Sequence, residues 1–218
     1  MMRSMVSRTR GIFALLALFT FAPFAAAAPQ PSPYPIAWEL KFEHAKPKRI
    51  VVTPAGSSKP EAFWYMTFAV TNLGAQEQRF LPVFELMTQD GDVIRSDNNI
   101  PVSVFEHVKT VERNNDLESM TQIAGVVRVG EENVREGVAI WREPTPEMGH
   151  FSIFVSGLSG ESVIMKDEKG NPVMKEVDGR KLPVVLRKTR KLDYQVPGDA
   201  RLRGVDPANA IEQTWVMR

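Results

Sequence analysis

The chain has no cysteine and only three histidines in 218 residues. Without cysteine there is no disulfide, thiol nucleophile, thiolate metal site or lipid-modified cysteine. His44, His107 and His150 stand far apart, with no second histidine at the i+3 or i+4 spacing of a helical metal site. Neither a Gly-x-Gly-x-x-Gly run nor a Walker pattern occurs, so the usual phosphate-cradling loops are missing. Asp90-Gly91-Asp92 and Asp97-Asn98-Asn99 lack the glycine and glutamate spacing of an EF-hand loop and read as turns. Ser159 follows Gly157, but Glu161 stands where a nucleophile elbow needs its second glycine. Glu131-Glu132 and the Glu143/Glu147 pair would suit a glycosidase only if two carboxylates faced one cleft about 5–9 Å apart. These absences leave no catalytic, cofactor-binding or metal-binding residue to assign, and no cofactor is expected.

A surplus of charge is also lacking. There are 27 basic and 26 acidic residues, and the first 27 residues contain three arginines and no acidic side chain. Taking those three from 27 leaves 24 basic against 26 acidic, a net of about −2. A near-neutral balance does not provide the basic field that nucleic acid demands, so nucleic acid is not an expected partner.

Long apolar runs are confined to the N-terminus. Arg3, Arg8 and Arg10 precede the apolar run Gly11 to Ala22, which ends at Pro23 and Ala25-Ala26-Ala27-Ala28. This is the layout of a signal peptide, residues 1–27, and the apolar run is shorter than the ~20 residues a spanning helix needs. The chain is therefore expected to be exported, to the periplasm or beyond the cell, with no membrane span once the signal is removed. Residues 28–35 follow as a proline-rich leader, because four prolines in Pro-Gln-Pro-Ser-Pro-Tyr-Pro remove four backbone donors. Residues 36–218 are read as one domain.

What is present is alternation. In Ala62 to Gly74, the residues Trp64, Met66, Phe68 and Val70 point one way, and Phe63, Tyr65, Thr67, Ala69 and Thr71 the other. Aromatic and β-branched residues at period two predict a central strand, closed by a turn at Asn72 and Gly74, both tolerant of positive φ. Further strands are predicted over 36–43, 49–53, 79–89 with an edge or bulge at Pro82, 92–95, 123–129, 134–141, 149–156, 162–167, 173–177, 181–196 and 212–218. In the strand over 181–196 the inward set Val184, Leu186, Leu192, Tyr194 and Val196 is interrupted by Lys188 and Arg190, which predicts a bend or bulge there. One short helix is expected near residues 101–113, capped by Asn98 or Asn99 and laid over an end or edge of the sheet through Phe105 and Val108. The sum is an all-β chain, an antiparallel β-sandwich.

The strand-turn stretch Phe-Ala-Val-Thr-Asn-Leu-Gly resembles the signature of bacterial immunoglobulin-like extracytoplasmic modules, over Ala62 to Leu86. The resemblance implies an immunoglobulin-like sandwich and implies no particular activity.

Three residues stand out as ligand-binding candidates. Trp141, opposite Val138 and Ile140 and beside the Pro144/Pro146 loop, is the tryptophan best placed for exposure and sugar stacking, with burial in the core or an interface the favoured reading even there. Lys188 and Arg190, within Arg187-Lys188-Thr189-Arg190-Lys191, are read as a solvated sheet edge that resists sheet-to-sheet aggregation, or alternatively as a contact for anionic cell-surface polymer. The function that follows is a non-catalytic exported protein with a structural or protein-binding role in the cell envelope. The alternatives are a carbohydrate-binding module and, more remotely, an exported hydrolase. The partner would be an envelope protein or a polysaccharide.

Overall fold

A computed structural model describes residues 28–145, 148–196 and 208–218. The signal peptide assigned to residues 1–27, part of the Pro144/Pro146 loop and most of the polar stretch after Pro197 lie outside these residues. In chain order the first strands are β1 (Lys41–His44), β2 (Lys48–Val52), β3 (Glu61–Thr71), β4 (Gln78–Phe80), β5 (Val83–Thr88) and β6 (Val93–Arg95). The helices α1 (Val102–Glu112) and α2 (Met120–Ile123) follow. The remaining strands are β7 (Gly125–Val127), β8 (Arg135–Arg142), β9 (His150–Ser156), β10 (Ser162–Ile164), β11 (Met174–Val177), β12 (Arg180–Pro183), β13 (Val185–Gln195) and β14 (Asn209–Met217). Every pairing between these strands is antiparallel, as expected for the all-β class.

Two sheets face each other. In the first, β3 is central, with β8 along one edge and β1 and β2 end to end along the other. In the second, β13 pairs with β14 on one side and with β9 and β10 end to end on the other, and β5 and β6 extend the sheet beyond β9. Period-two alternation puts Trp64, Met66 and Phe68 of β3 against Phe84 of β5 and Phe151 and Ile153 of β9. The Phe68 and Phe84 rings lie 4.6 Å apart and those of Trp64 and Phe151 5.5 Å. Each such side chain, wholly buried, contributes about 1.5–3 kcal/mol relative to exposure.

The other face of β3 is covered as well. Phe63, Tyr65, Val138 and Ile140 pack under Val104 and Val108 of α1. The helix thus lies on the face of the first sheet, not across an end, and it buries Val104 and Val108 while Phe105 is only half-buried. Its start is Pro101, with no side-chain cap, and its stop is Arg113 at φ 53°. Among the described residues two α-helices form where one was expected. The second is a single turn whose capping box joins Ser119 and Gln122, a signal present in the sequence.

Two local expectations change. The turn after β3 is made by the Asn72 side chain, which accepts from Gly74 N–H at 3.0 Å and donates to Gln76 and Val127 carbonyls. Neither Asn72 nor Gly74 has positive φ. The long strand predicted over 181–196 is two strands broken at Val184, and β13 keeps its alternation through Lys188 and Arg190. The only register shift in its pairing with β14 is between Asp193 and Tyr194.

At Gly137 of β8, an added Cβ would sit 2.7 Å from Ile123 Cδ1 and 2.8 Å from Phe68 Cζ. Gly137→Ala is expected to lower stability by about 1–3 kcal/mol through overpacking, checked as a fall in urea midpoint at unchanged m-value.

Candidate functional site

Because β13 keeps its phase, Lys188 and Arg190 share the inward face with Leu192 and Tyr194. This corrects the solvated-edge expectation: β13 is an interior strand paired on both sides, and Lys188 is 2% exposed. A lysine cation at such a place needs counter-charge and hydrogen-bond acceptors. Glu39 Oε1 accepts from Lys188 Nζ at 2.6 Å and Glu161 Oε2 lies 3.2 Å away. Ser32 carbonyl oxygen is the second hydrogen-bond acceptor at 3.3 Å, and the Trp215 ring lies 5.1 Å from the same Nζ. Burial pulls the Lys188 ammonium toward its neutral form, but the bonds to Glu39 and Glu161 more than offset it and hold the pKa above the ordinary lysine value. The Glu161 carboxyl is held below its ordinary value, first by the Ser32 N–H and then by Lys188. Arg190, half-buried, bonds Gln213 and also lies over the Trp215 ring, 5.2 Å from its centroid. Burial lowers its pKa, with Glu39 opposing.

The cluster is positioned by close backbone approach. Trp38 to Leu40 runs beside 158–160, with Leu40 N–H bonded to Leu158 O at 2.8 Å and Gly160 N–H to Trp38 O at 3.0 Å. An added Cβ on Gly160 would fall 2.5 Å from Trp38 Nε1, so glycine lets the indole rest on the main chain. The Ser156-to-Glu161 stretch is therefore a connector between β9 and β10, and it delivers Glu161 to Lys188.

Trp141 is 0% exposed, so the burial reading describes it and the exposed, sugar-stacking reading does not. Its ring faces the inter-sheet core while Val138 and Ile140 lie under α1, so both faces of β8 are covered. The histidines do not converge on a metal site: among the described residues no three His, Asp or Glu side chains are grouped to hold an ion. His107 is exposed on α1 and His150 exposed at the start of β9. His44 borders a 410 Å³ groove with Glu43, Glu112 and Glu136, where α1 stops short of covering Thr67 and Ala69. Its acids are engaged: Glu112 accepts from Lys48 at 2.8 Å and Tyr65 at 2.6 Å, and Glu136 from Asn114 at 2.7 Å. His44 Nδ1 faces Ala45 O at 3.0 Å and Tyr194 Oη at 3.3 Å. On the outer face of the second sheet His150, Ser152 and Asp193 are neighbours, and Ser152 Oγ donates to Asp193, which also accepts from Lys191. Glu143 grips Arg49 through both oxygens at 2.7 and 2.9 Å and also accepts from Trp64.

Glu39, Glu161 and Ser32 were not singled out in the sequence as partners of Lys188. The one signal was parity: a lysine at an inward position of an apolar strand requires either a bend or a buried acid. No protein-family model, curated protein or solved structure matches the chain.

Lys188→Met leaves two poorly solvated carboxylates without their cation and is expected to cost about 3–5 kcal/mol at pH 7.5. Because Glu161 is held low in the native protein, its stabilisation is present above the ordinary carboxylate pKa and lost as pH falls through the lowered value. In the variant that sign reverses: the deficit shrinks as pH falls toward 5, read by urea unfolding at both pH values. A second group gives an independent pH signature. Burial raises the Asp97 carboxyl to about 6, against hydrogen bonds from Ser96 and Ile140, and the residue sits at φ 60°. A raised carboxyl costs stability as pH rises through its unfolded value toward 6. Asp97→Asn is expected to raise stability by about 1–3 kcal/mol at pH 7.5, with the gain gone below pH ~4, measured by thermal unfolding across pH.

Proposed function

We propose that the chain is an exported, non-catalytic β-sandwich protein with a structural or protein-binding role in the cell envelope. Export is supported by the basic, apolar and small-residue order of residues 1–27. The immunoglobulin-like relation is supported by the Val70-Thr71-Asn72-Leu73-Gly74 strand ending, whose asparagine organises the turn. A non-catalytic role is supported by the polar side chains around His44, Ser152 and Glu143, each of which is bonded into the fold.

The observation that carries the binding role is an arm beyond the sandwich. Strands β10, β11 and β12, the first residues of β13 and their connections form it. Three backbone bonds close a ring: Met165 N–H to Val184 O, Val184 N–H to Val173 O, and Val173 N–H to Met165 O, each 2.8 Å. Val163, Ile164, Met165, Met174, Val177, Leu182 and Val185 are 37% to 50% exposed along it. Scattered exposed apolar residues are ordinary, but seven on one projecting segment mark a contact surface. The fully buried Trp141 weighs against the carbohydrate-binding alternative.

A photo-crosslinking residue at Met174 or Leu182, in cells making the native protein, is expected to capture one discrete envelope protein. The same residue at the exposed Val102 of α1 is expected to capture none. The adduct should disappear when Ile164→Glu and Val177→Glu are added to a chain that still unfolds cooperatively. Equal capture from Val102, or an adduct insensitive to the two glutamates, would sink the reading.

A further inference from the structure

The leader is not an idle tail. In Pro29-Gln30-Pro31-Ser32-Pro33-Tyr34-Pro35 a backbone N–H is available only at alternate residues, and the flanking prolines disfavour helical backbone, so the chain is extended up to Ser32 and bends at Pro33 and Tyr34. Gln30 and Tyr34 are exposed and Ser32 is half-buried. Ser32 is where the body of the protein takes hold: its N–H donates to Glu161 Oε1 at 2.7 Å and its carbonyl accepts from Lys188 Nζ at 3.3 Å. Both gripping side chains are more than nine-tenths buried, Glu161 at 6% and Lys188 at 2% exposure. They contact main-chain atoms of one residue, donor and acceptor together, while the Ser32 hydroxyl is turned to its own chain and accepts from Tyr34 N–H at 3.4 Å.

We infer that Glu161 and Lys188 form a peptide-binding clamp for an extended, proline-flanked segment, occupied in cis by the chain's own leader and open to such a segment from another chain once the leader is displaced. The chemistry supports both halves. A rigid proline-rich segment loses little conformational entropy on docking, which is the basis of proline-rich peptide recognition elsewhere. A grip on one N–H and one C=O requires a residue other than proline at the gripped position and does not read the identity of its side chain. Tethering keeps the cis segment at an effective concentration in the mM range, so a trans segment binds measurably only when the cis segment is weakened. The inference is separate from the arm described above, and shares with the proposed function only the assumption that the exported form begins at Ala28.

The test uses the chain from Ala28 to Arg218 and a fluorescent peptide of residues 28–37. Ser32→Pro in the chain replaces the clamped N–H by a ring carbon facing Glu161 and changes nothing in the sheets. That variant is expected to bind the peptide at least tenfold more tightly than the unaltered chain by fluorescence anisotropy. A peptide carrying the same Ser32→Pro change is expected not to bind, and the Ser32 amide of the unaltered chain should show slowed hydrogen exchange. The clamp is overturned if the variant takes up no peptide, if variant and unaltered chain bind equally, or if the proline-substituted peptide binds as well. A protected Ser32 amide with no binding in trans would mean a fixed structural strap, which also overturns it. Failure of export would show separately, as a purified protein whose mass does not start at Ala28.

Discussion

The contact on which this fold rests is the face-to-face packing of β3 on the second sheet. With no disulfide available, burial must supply the cohesion. Strand β3 does this twice over, sending Trp64, Met66 and Phe68 into the inter-sheet core and Phe63 and Tyr65 beneath α1. The helix then gives the first sheet its second cover. The same arrangement explains the groove beside His44, which opens where the helix ends and Thr67 and Ala69 are left half-covered.

Ion pairs and hydrogen bonds decide how the layers are seated more than how strongly they cohere. Arg49 with Glu143, and Lys48 and Tyr65 with Glu112, fix the helix and β2 against the sheet at its margins. The buried Lys188 with Glu39 and Glu161 costs desolvation that its partners largely offset. Its structural effect is to bind three segments far apart in sequence, the leader, the β9–β10 connector and β13, at one point.

Much of the architecture was legible in the residues. Alternation located β3, β5, β8 and β9, and Asp90-Gly91 marked the turn between β5 and β6. What alternation does not carry is the third dimension of a charged residue. Lys188 and Arg190 at inward positions were compatible with a bend or with buried counter-charge, and the acids that settle the matter lie 149 and 27 positions away in the chain. The environment of Trp141 stayed open between burial and exposure for a related reason. A strand covered on both faces shows no polar side, and only the packing of α1 tells which faces are covered. The leader was legible as irregular, because proline excludes ladder bonding, but its attachment depends on one amide between two prolines.

Ser32 is held at Lys188, and Arg218 exchanges both backbone bonds with the adjacent Arg187 at 2.7 and 3.0 Å. Segments near opposite ends of the sequence are thus moored to consecutive residues of one strand. Tension applied between them would run through a short span of β13 and its local bonds, leaving the aromatic interior out of the load path. Anything tethered at Ser32 and anything tethered at Arg218 would also be brought to the same corner of the molecule.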